Sequence, residues 1–104
     1  MKYTIYQILD AEKGRDFRFE DYQFARKACN DNFLTILSNY DEVYNGEIDA
    51  NGKNKLEILD ELFEIFNINH PEDFRGHSLS VSDIVLLDDS DYYYCDSFGW
   101  AYMD

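Results

Sequence analysis

Positive charge is scarce in this chain. Nine lysines and arginines stand against 22 aspartates and glutamates in 104 residues, a formal net charge of −13 at neutral pH. A field of that sign repels nucleic acid and anionic lipid and attracts basic surfaces, so direct DNA, RNA or membrane binding is disfavoured. Long apolar runs are also missing. None approaches the ~20 residues a spanning helix requires, and the opening Met1-Lys2-Tyr3-Thr4-Ile5-Tyr6 lacks the apolar core of a secretory signal. Cytoplasmic placement is therefore the expectation. Cysteine is sparse, and Cys29 and Cys95 form no Cys-x-x-Cys pair, which removes the usual zinc and redox signatures and leaves two buried thiols as the expectation. Neither cofactor nor metal is expected. Repeats and low-complexity linkers are lacking, and the length allows one core, so residues 1–104 are expected to form a single domain.

Aromatic residues are plentiful, with nine Tyr and eight Phe. An acidic disordered tail would be poor in them, so the chain should fold. The charge is unevenly placed. Residues 1–27 carry six bases and five acids, whereas residues 28–104 carry three bases and seventeen acids.

Alternation from Lys2 to Leu9 predicts a strand with apolar residues on both sides, hence a central one. Asp10 to Asp16 reads as a polar connection. Glu20 to Asn30 predicts a helix with Tyr22, Phe24, Ala25, Ala28 and Cys29 as apolar positions, broken by Asn30-Asp31-Asn32, and Phe33 to Leu37 predicts a further helical turn. Glu42 to Ile48 predicts a second strand, in which Gly46 marks a bulge or a close backbone approach. From Asn54 the helical signal is strongest: Asn54 fits an N-cap with Glu57 in the capping-box position. Leu56, Leu59, Leu62, Phe63 and Phe66 recur at helical spacing as its buried stripe. Pro71 starts a short turn or helical segment through Phe74. Ile84 to Leu87, the polar turn Asp88 to Asp91, and Tyr92 to Ser97 predict a carboxy-terminal β-hairpin closing on Phe98-Gly99-Trp100. The order implies an α+β domain, a small mainly antiparallel sheet packed on one face by two or three helices.

Several of these segments together resemble the YodL-like domain family of Gram-positive bacteria and their mobile elements. The matching pieces are Tyr3-Thr4-Ile5-Tyr6-Gln7-Ile8, Phe19…Tyr22…Phe24-Ala25, and Tyr40…Val43-Tyr44-Asn45-Gly46. Most specific are the run from Asn69 to Val85 (NHPEDFRGHSLSVSDIV) and Tyr94-Cys95-Asp96-Ser97-Phe98-Gly99-Trp100. The resemblance extends nearly end to end. It implies a mobile-element context and brings no set of catalytic residues. Ala28 to Ser38 and the Asp88–Asp91 turn fall outside it, and these are places for a specific adaptation.

Three constellations invite chemistry. His77, Ser78, Ser80, Ser82 and Asp83 cluster near Cys95 and Asp96, and a Cys–His pair would be a nucleophile with its base. Cys95 lies on a strand with no helix N-terminus to lower its pKa, so His77 and Ser78 are expected to satisfy backbone, with Ser82 and Asp83 capping the turn. Glu47, Asp49, Asn51 and Gly52 begin like a calcium loop, but Ile58 stands where the bidentate Glu belongs, and an ordinary turn is expected. Finally, Glu57, Asp60, Glu61 and Glu64 line one side of the third helix, repeating carboxylates every ~5–6 Å, comparable to the phosphate repeat of a nucleic-acid strand. From Leu56 onward twelve acids meet one base, Arg75, whereas a merely solubilising surface would mix the signs.

The sequence thus points to a non-enzymatic acidic binding protein of a phage or mobile element. It would inhibit a basic nucleic-acid-binding host protein, such as a CRISPR nuclease, by nucleic-acid mimicry. Glu57, Asp60, Glu61, Glu64, Asp88, Asp89 and Asp91 would replace phosphates, with Tyr92 and Trp100 as aromatic anchors. Two alternatives are a regulator that docks on a host cytoskeletal or cell-cycle protein, and an enzyme using Cys95 and His77.

Overall fold

The computed structural model describes residues 1–10, 12 and 17–104. Its elements run β1 (Lys2–Gln7), α1 (Tyr22–Ala28), α2 (Phe33–Leu37), β2 (Asp41–Glu47), α3 (Lys55–Ile68), β3 (Ile84–Leu87), β4 (Asp91–Cys95) and β5 (Trp100–Met103). The polar connection expected at Asp10 to Asp16 lies mostly outside the described residues. The strands form one sheet in the order β2-β1-β3-β4-β5, and every neighbouring pair is antiparallel. The fold is the expected α+β architecture with a carboxy-terminal hairpin, extended by β5, a strand the sequence reading did not contain.

Strand β1 is central and apolar on both sides. Tyr3 and Ile5 enter one core with Val85 and Leu87 of β3 and Ile58, Leu59, Leu62 and Phe66 of α3. Ile8, just past β1, and Ile84 enter a second core with Ala25 of α1, Ile36 of α2, Tyr94 of β4 and Met103 of β5. The helices thus cover both faces of the sheet, α3 on one and α1 with α2 on the other, rather than one face as the element order suggested. The physical reason lies in β3: all four of its side chains are buried, and successive strand residues point to opposite faces. Leaving either face bare would forgo about 1.5–3 kcal/mol for each large apolar side chain.

Asp21 caps α1 by accepting from the Phe24 amide at 2.8 Å. The helix ends where Asn30 and Asp31 take φ of +55° and +58°, the left-handed conformation that Asn and Asp tolerate better than most residues. Ala25 and Cys29 face inward, while Phe24 and Ala28 are exposed, so only part of the expected apolar set is used. In β2, Gly46 makes the close approach expected of it: a Cβ there would lie 2.8 Å from the Tyr3 hydroxyl. The bulge sits elsewhere, between Ile5↔Tyr44 and Tyr6↔Glu42, leaving Val43 as the extra residue.

Candidate interaction surface

Helix α3 begins as its sequence requires. The Asn54 side chain accepts from the Glu57 amide at 2.9 Å, and the Glu57 carboxylate accepts from the Asn54 amide at 3.2 Å, closing a capping box. The buried stripe is Ile58, Leu59, Leu62 and Phe66. Leu56 and Phe63, expected within it, are 54 % and 39 % exposed. The helix is rolled so that Ile58 enters the core and Phe63 lies on the flank facing β5, where its ring meets Trp100 edge-on at 6.5 Å.

The four helix acids have different fates. Glu57 is engaged in the cap, and Glu61 pairs with Lys53 at 2.6 Å. Glu64 is exposed and has no ion-pair partner among the described residues. Asp60 accepts from the Trp100 indole nitrogen at 3.2 Å, which fixes the ring against the helix. Asp91 pairs with Lys55 and so ties β4 to the start of α3. That pairing holds the Asp91 carboxyl below its ordinary value.

The hairpin tip is a three-residue loop, because Asp91 already pairs with Leu87. Asp88 and Asp89 adopt φ of +53° and +59°, and Asp88 Oδ1 accepts from the Lys2 amide at 3.2 Å. Asp89 lines an open groove of about 490 Å³ with Lys2, Glu42 and Glu47. Tyr92 points to the α1–α2 side, 6.1 Å from the Tyr6 ring and 5.0 Å from Phe33. The nine anticipated contact residues are thereby divided. Glu57, Asp60, Glu61, Glu64 and Trp100 lie on the α3 side, as does Asp91 through its pair with Lys55; Tyr92 lies on the opposite face, and Asp88 and Asp89 at the hairpin tip at the end of the sheet.

A second groove, about 220 Å³, opens between α3 and β5. Phe63 and Trp100 form its walls with Val81, Cys95 lies within, and Asp60 and Asp96 stand at its margin. Phe98, in the turn beside it, is 97 % exposed. The sequence reading did not single out Phe63, Asp96 or Phe98 as contact residues. The only signal available was the short spacing of polar and aromatic residues from Asp96 to Trp100.

The His/Ser/Asp/Cys cluster is a buried brace. Gln7 Nε2 donates to Asp83 Oδ2 at 3.0 Å and to the His77 carbonyl at 2.8 Å, while its Oε1 accepts from the His77 amide at 3.1 Å. The Ser80 amide also donates to Asp83 Oδ2, at 2.9 Å. Burial pushes the Asp83 carboxyl up to about 7, against the lowering effect of these hydrogen bonds. Ser82, at φ +83°, is held by the Tyr40 hydroxyl on its carbonyl, by its own amide donating to the Cys95 carbonyl, and by its Oγ accepting from the Phe19 amide. Burial, then the charges of Asp83, Asp96 and Asp60, push the Cys95 thiol up to about 12. His77 Nδ1 lies 2.8 Å from the Ser78 carbonyl, and its Nε2 lies 3.9 Å from Asp83. The polar contacts of His77 are thus to Gln7, Ser78 and Asp83. At the calcium-like stretch, Asp49 Oδ1 accepts from the Asn51 amide at 3.0 Å and Gly52 takes φ +72°, an Asx turn.

No curated protein and no solved structure matches the chain. The model of the YodL-like domain family does, over residues 2–104, and with the signature runs from Asn69 to Val85 and from Tyr94 to Trp100 now placed in the brace, the hairpin and the groove, the chain belongs to that family.

Proposed function

We propose that this is a non-enzymatic docking module, carried by a phage or mobile element, whose acidic surface engages a basic nucleic-acid-binding protein of the bacterial host and blocks it. One observation carries the reading. The only base after Lys55, Arg75, directs its guanidinium to the backbone carbonyls of Glu72 and Phe74, at 2.6 and 3.2 Å, and not to a carboxylate. The acids of the carboxy-terminal half are therefore paired with a lysine or arginine only at Glu61 and Asp91, by Lys53 and Lys55, among the described residues. Asp60, Glu64, Asp88 and Asp89 keep their charge for an external cation. The alternative built on Cys95 and His77 has little support, because a thiol raised to about 12 is protonated at neutral pH.

The test is capture of host proteins on the immobilised chain at low and high salt, with duplex DNA as competitor. A basic protein that is retained at low salt, released by salt and displaced by DNA is the expected result. Asp60→Lys with Glu64→Lys should abolish its retention, since charge complementarity governs association rate and register. A partner retained equally at both salt concentrations and indifferent to DNA would refute mimicry. It would favour the second reading, docking on a cytoskeletal or cell-cycle protein through the aromatic side of the hairpin, which the 97 % exposure of Phe98 recommends.

A further inference from the structure

We infer that the groove between α3 and β5 is a receptor for a single arginine side chain of the basic partner; this rests on the reading above and names the contact that reading lacks. Its size is the first argument. Small-molecule pockets run to about 300–1,000 Å³, and this one is about 220 Å³, room for one extended side chain rather than a metabolite.

Its walls are the second argument. Trp100 and Phe63 offer aromatic surface set nearly perpendicular, at 84°. The indole is locked by its hydrogen bond to Asp60, so it does not have to be ordered on binding. A guanidinium stacks on such faces while its aliphatic stem lies against apolar wall, which a compact ammonium does less well.

The third argument is charge. Asp60 uses Oδ1 for the indole, and Asp96 uses Oδ1 for the amides of Tyr22 and Ser97, at 3.1 and 2.9 Å. Each carboxylate keeps Oδ2 without a hydrogen-bond partner, and neither has an ion-pair partner, among the described residues.

The test uses Trp100, the chain's only tryptophan, as its own reporter. The protein is titrated at low salt with a peptide alternating arginine and glycine, four of each, and with its lysine counterpart. The expected result is a change in Trp100 emission saturating at a several-fold lower concentration of the arginine peptide. Asp60→Asn keeps a carbonyl for the indole and removes one charge, so it should weaken binding at least about five-fold. Glu72→Gln, an equal charge change at an exposed residue outside the groove, should weaken it by no more than about two-fold. Phe63→Ala, which keeps the charge, should erase the preference for arginine. Matching thermal unfolding profiles establish that each variant is folded, and Asp96→Asn replaces Asp60→Asn if the latter is not. Equal losses in Asp60→Asn and Glu72→Gln, or equal affinity for the two peptides, would overturn the receptor and leave the acidic docking reading standing. Failure of both peptides to bind the unaltered protein at low salt would overturn the receptor and that reading together.

Discussion

Replacing Asp83 by asparagine should change the way stability depends on pH, and the structure sets the size of the effect. The Asp83 side chain is fully buried, and burial raises its carboxyl to about 7, whereas an unfolded chain holds aspartate near ~3.9. A carboxyl whose pKa rises on folding contributes stability below its unfolded value and loses that contribution as pH climbs through its folded value. At pH 5 the unfolded chain is already charged at this position and the folded one is not; by pH 8 both are charged. Two units of that interval remain, each worth about 1.4 kcal/mol, so Asp83 should cost the protein about 3 kcal/mol between pH 5 and pH 8. The Asp83→Asn variant would have no such dependence. The carbonyl of its new side chain replaces Oδ2 as acceptor for Gln7 and Ser80, and the new amide faces His77 Nε2, which is buried without a hydrogen-bond partner among the described residues. Urea unfolding of both proteins at pH 5, 6, 7 and 8 measures the difference directly, and the other carboxylates cancel because both proteins share them. Work below pH 5 approaches the isoelectric point of about 4.2, where solubility fails. The variant should match the parent near pH 5 and exceed it by about 3 kcal/mol at pH 8, a midpoint shift of about 1–3 M urea for m of ~1–3 kcal/mol/M. A gap that stays constant across the range would refute the account of a carboxyl kept neutral by burial.

Other substitutions test the remaining architecture. Gly76→Ala would place a Cβ 2.3 Å from Gln7 Oε1 and 2.7 Å from Phe74, displacing the amide that braces His77 and Asp83, and should cost about 1–3 kcal/mol by chemical denaturation. Leu59→Ala should cost about 2–5 kcal/mol, whereas Leu56→Ala, on the exposed flank of α3, should stay within about 1 kcal/mol; equal losses would contradict the observed roll of the helix. Asn54→Ala removes the capping box and should destabilise by about 1 kcal/mol, read as a lower midpoint with unchanged m. Cys95 should resist iodoacetamide at pH 7.5 in the folded protein and react in urea, as a buried and protonated thiol must.

Much of this fold was legible in the sequence because its signals are local. The Asn54–Glu57 cap, the breaking triplet Asn30-Asp31-Asn32 and the acidic turn after Leu87 act within a few residues, and each appears where expected. What escaped depends on distant partners. Leu56, Ile58, Leu59, Leu62, Phe63, Ile65 and Phe66 wrap α3 so broadly that periodicity alone does not choose the inward line; the sheet chooses it. Strand β5 is four residues long, with Trp100 turned to one core and Met103 to the other, so no alternation marks it. The two-faced packing was foreshadowed in β1, whose odd and even residues are both apolar, but the element order concealed it. The groove was the least legible feature, because Asp60, Phe63, Val81 and Asp96 meet only after α3 and β5 have docked on the same face.

The central position of β1 also constrains the order of assembly. Its two neighbours are supplied by residues 41–47 and 84–87, so during synthesis β1 waits until residue 87 has been made before both its edges are paired. Half a sheet, β1 with β2, is available early, with one open edge of Tyr3 to Tyr6 facing solvent. Closure over that edge requires a loop of about eighty residues, which slows folding and exposes the nascent chain to wrong strand partners. The heavy negative charge of the later segments then has a role before any partner is met: chains that repel one another through their unfinished halves do not readily pair through their unfinished edges.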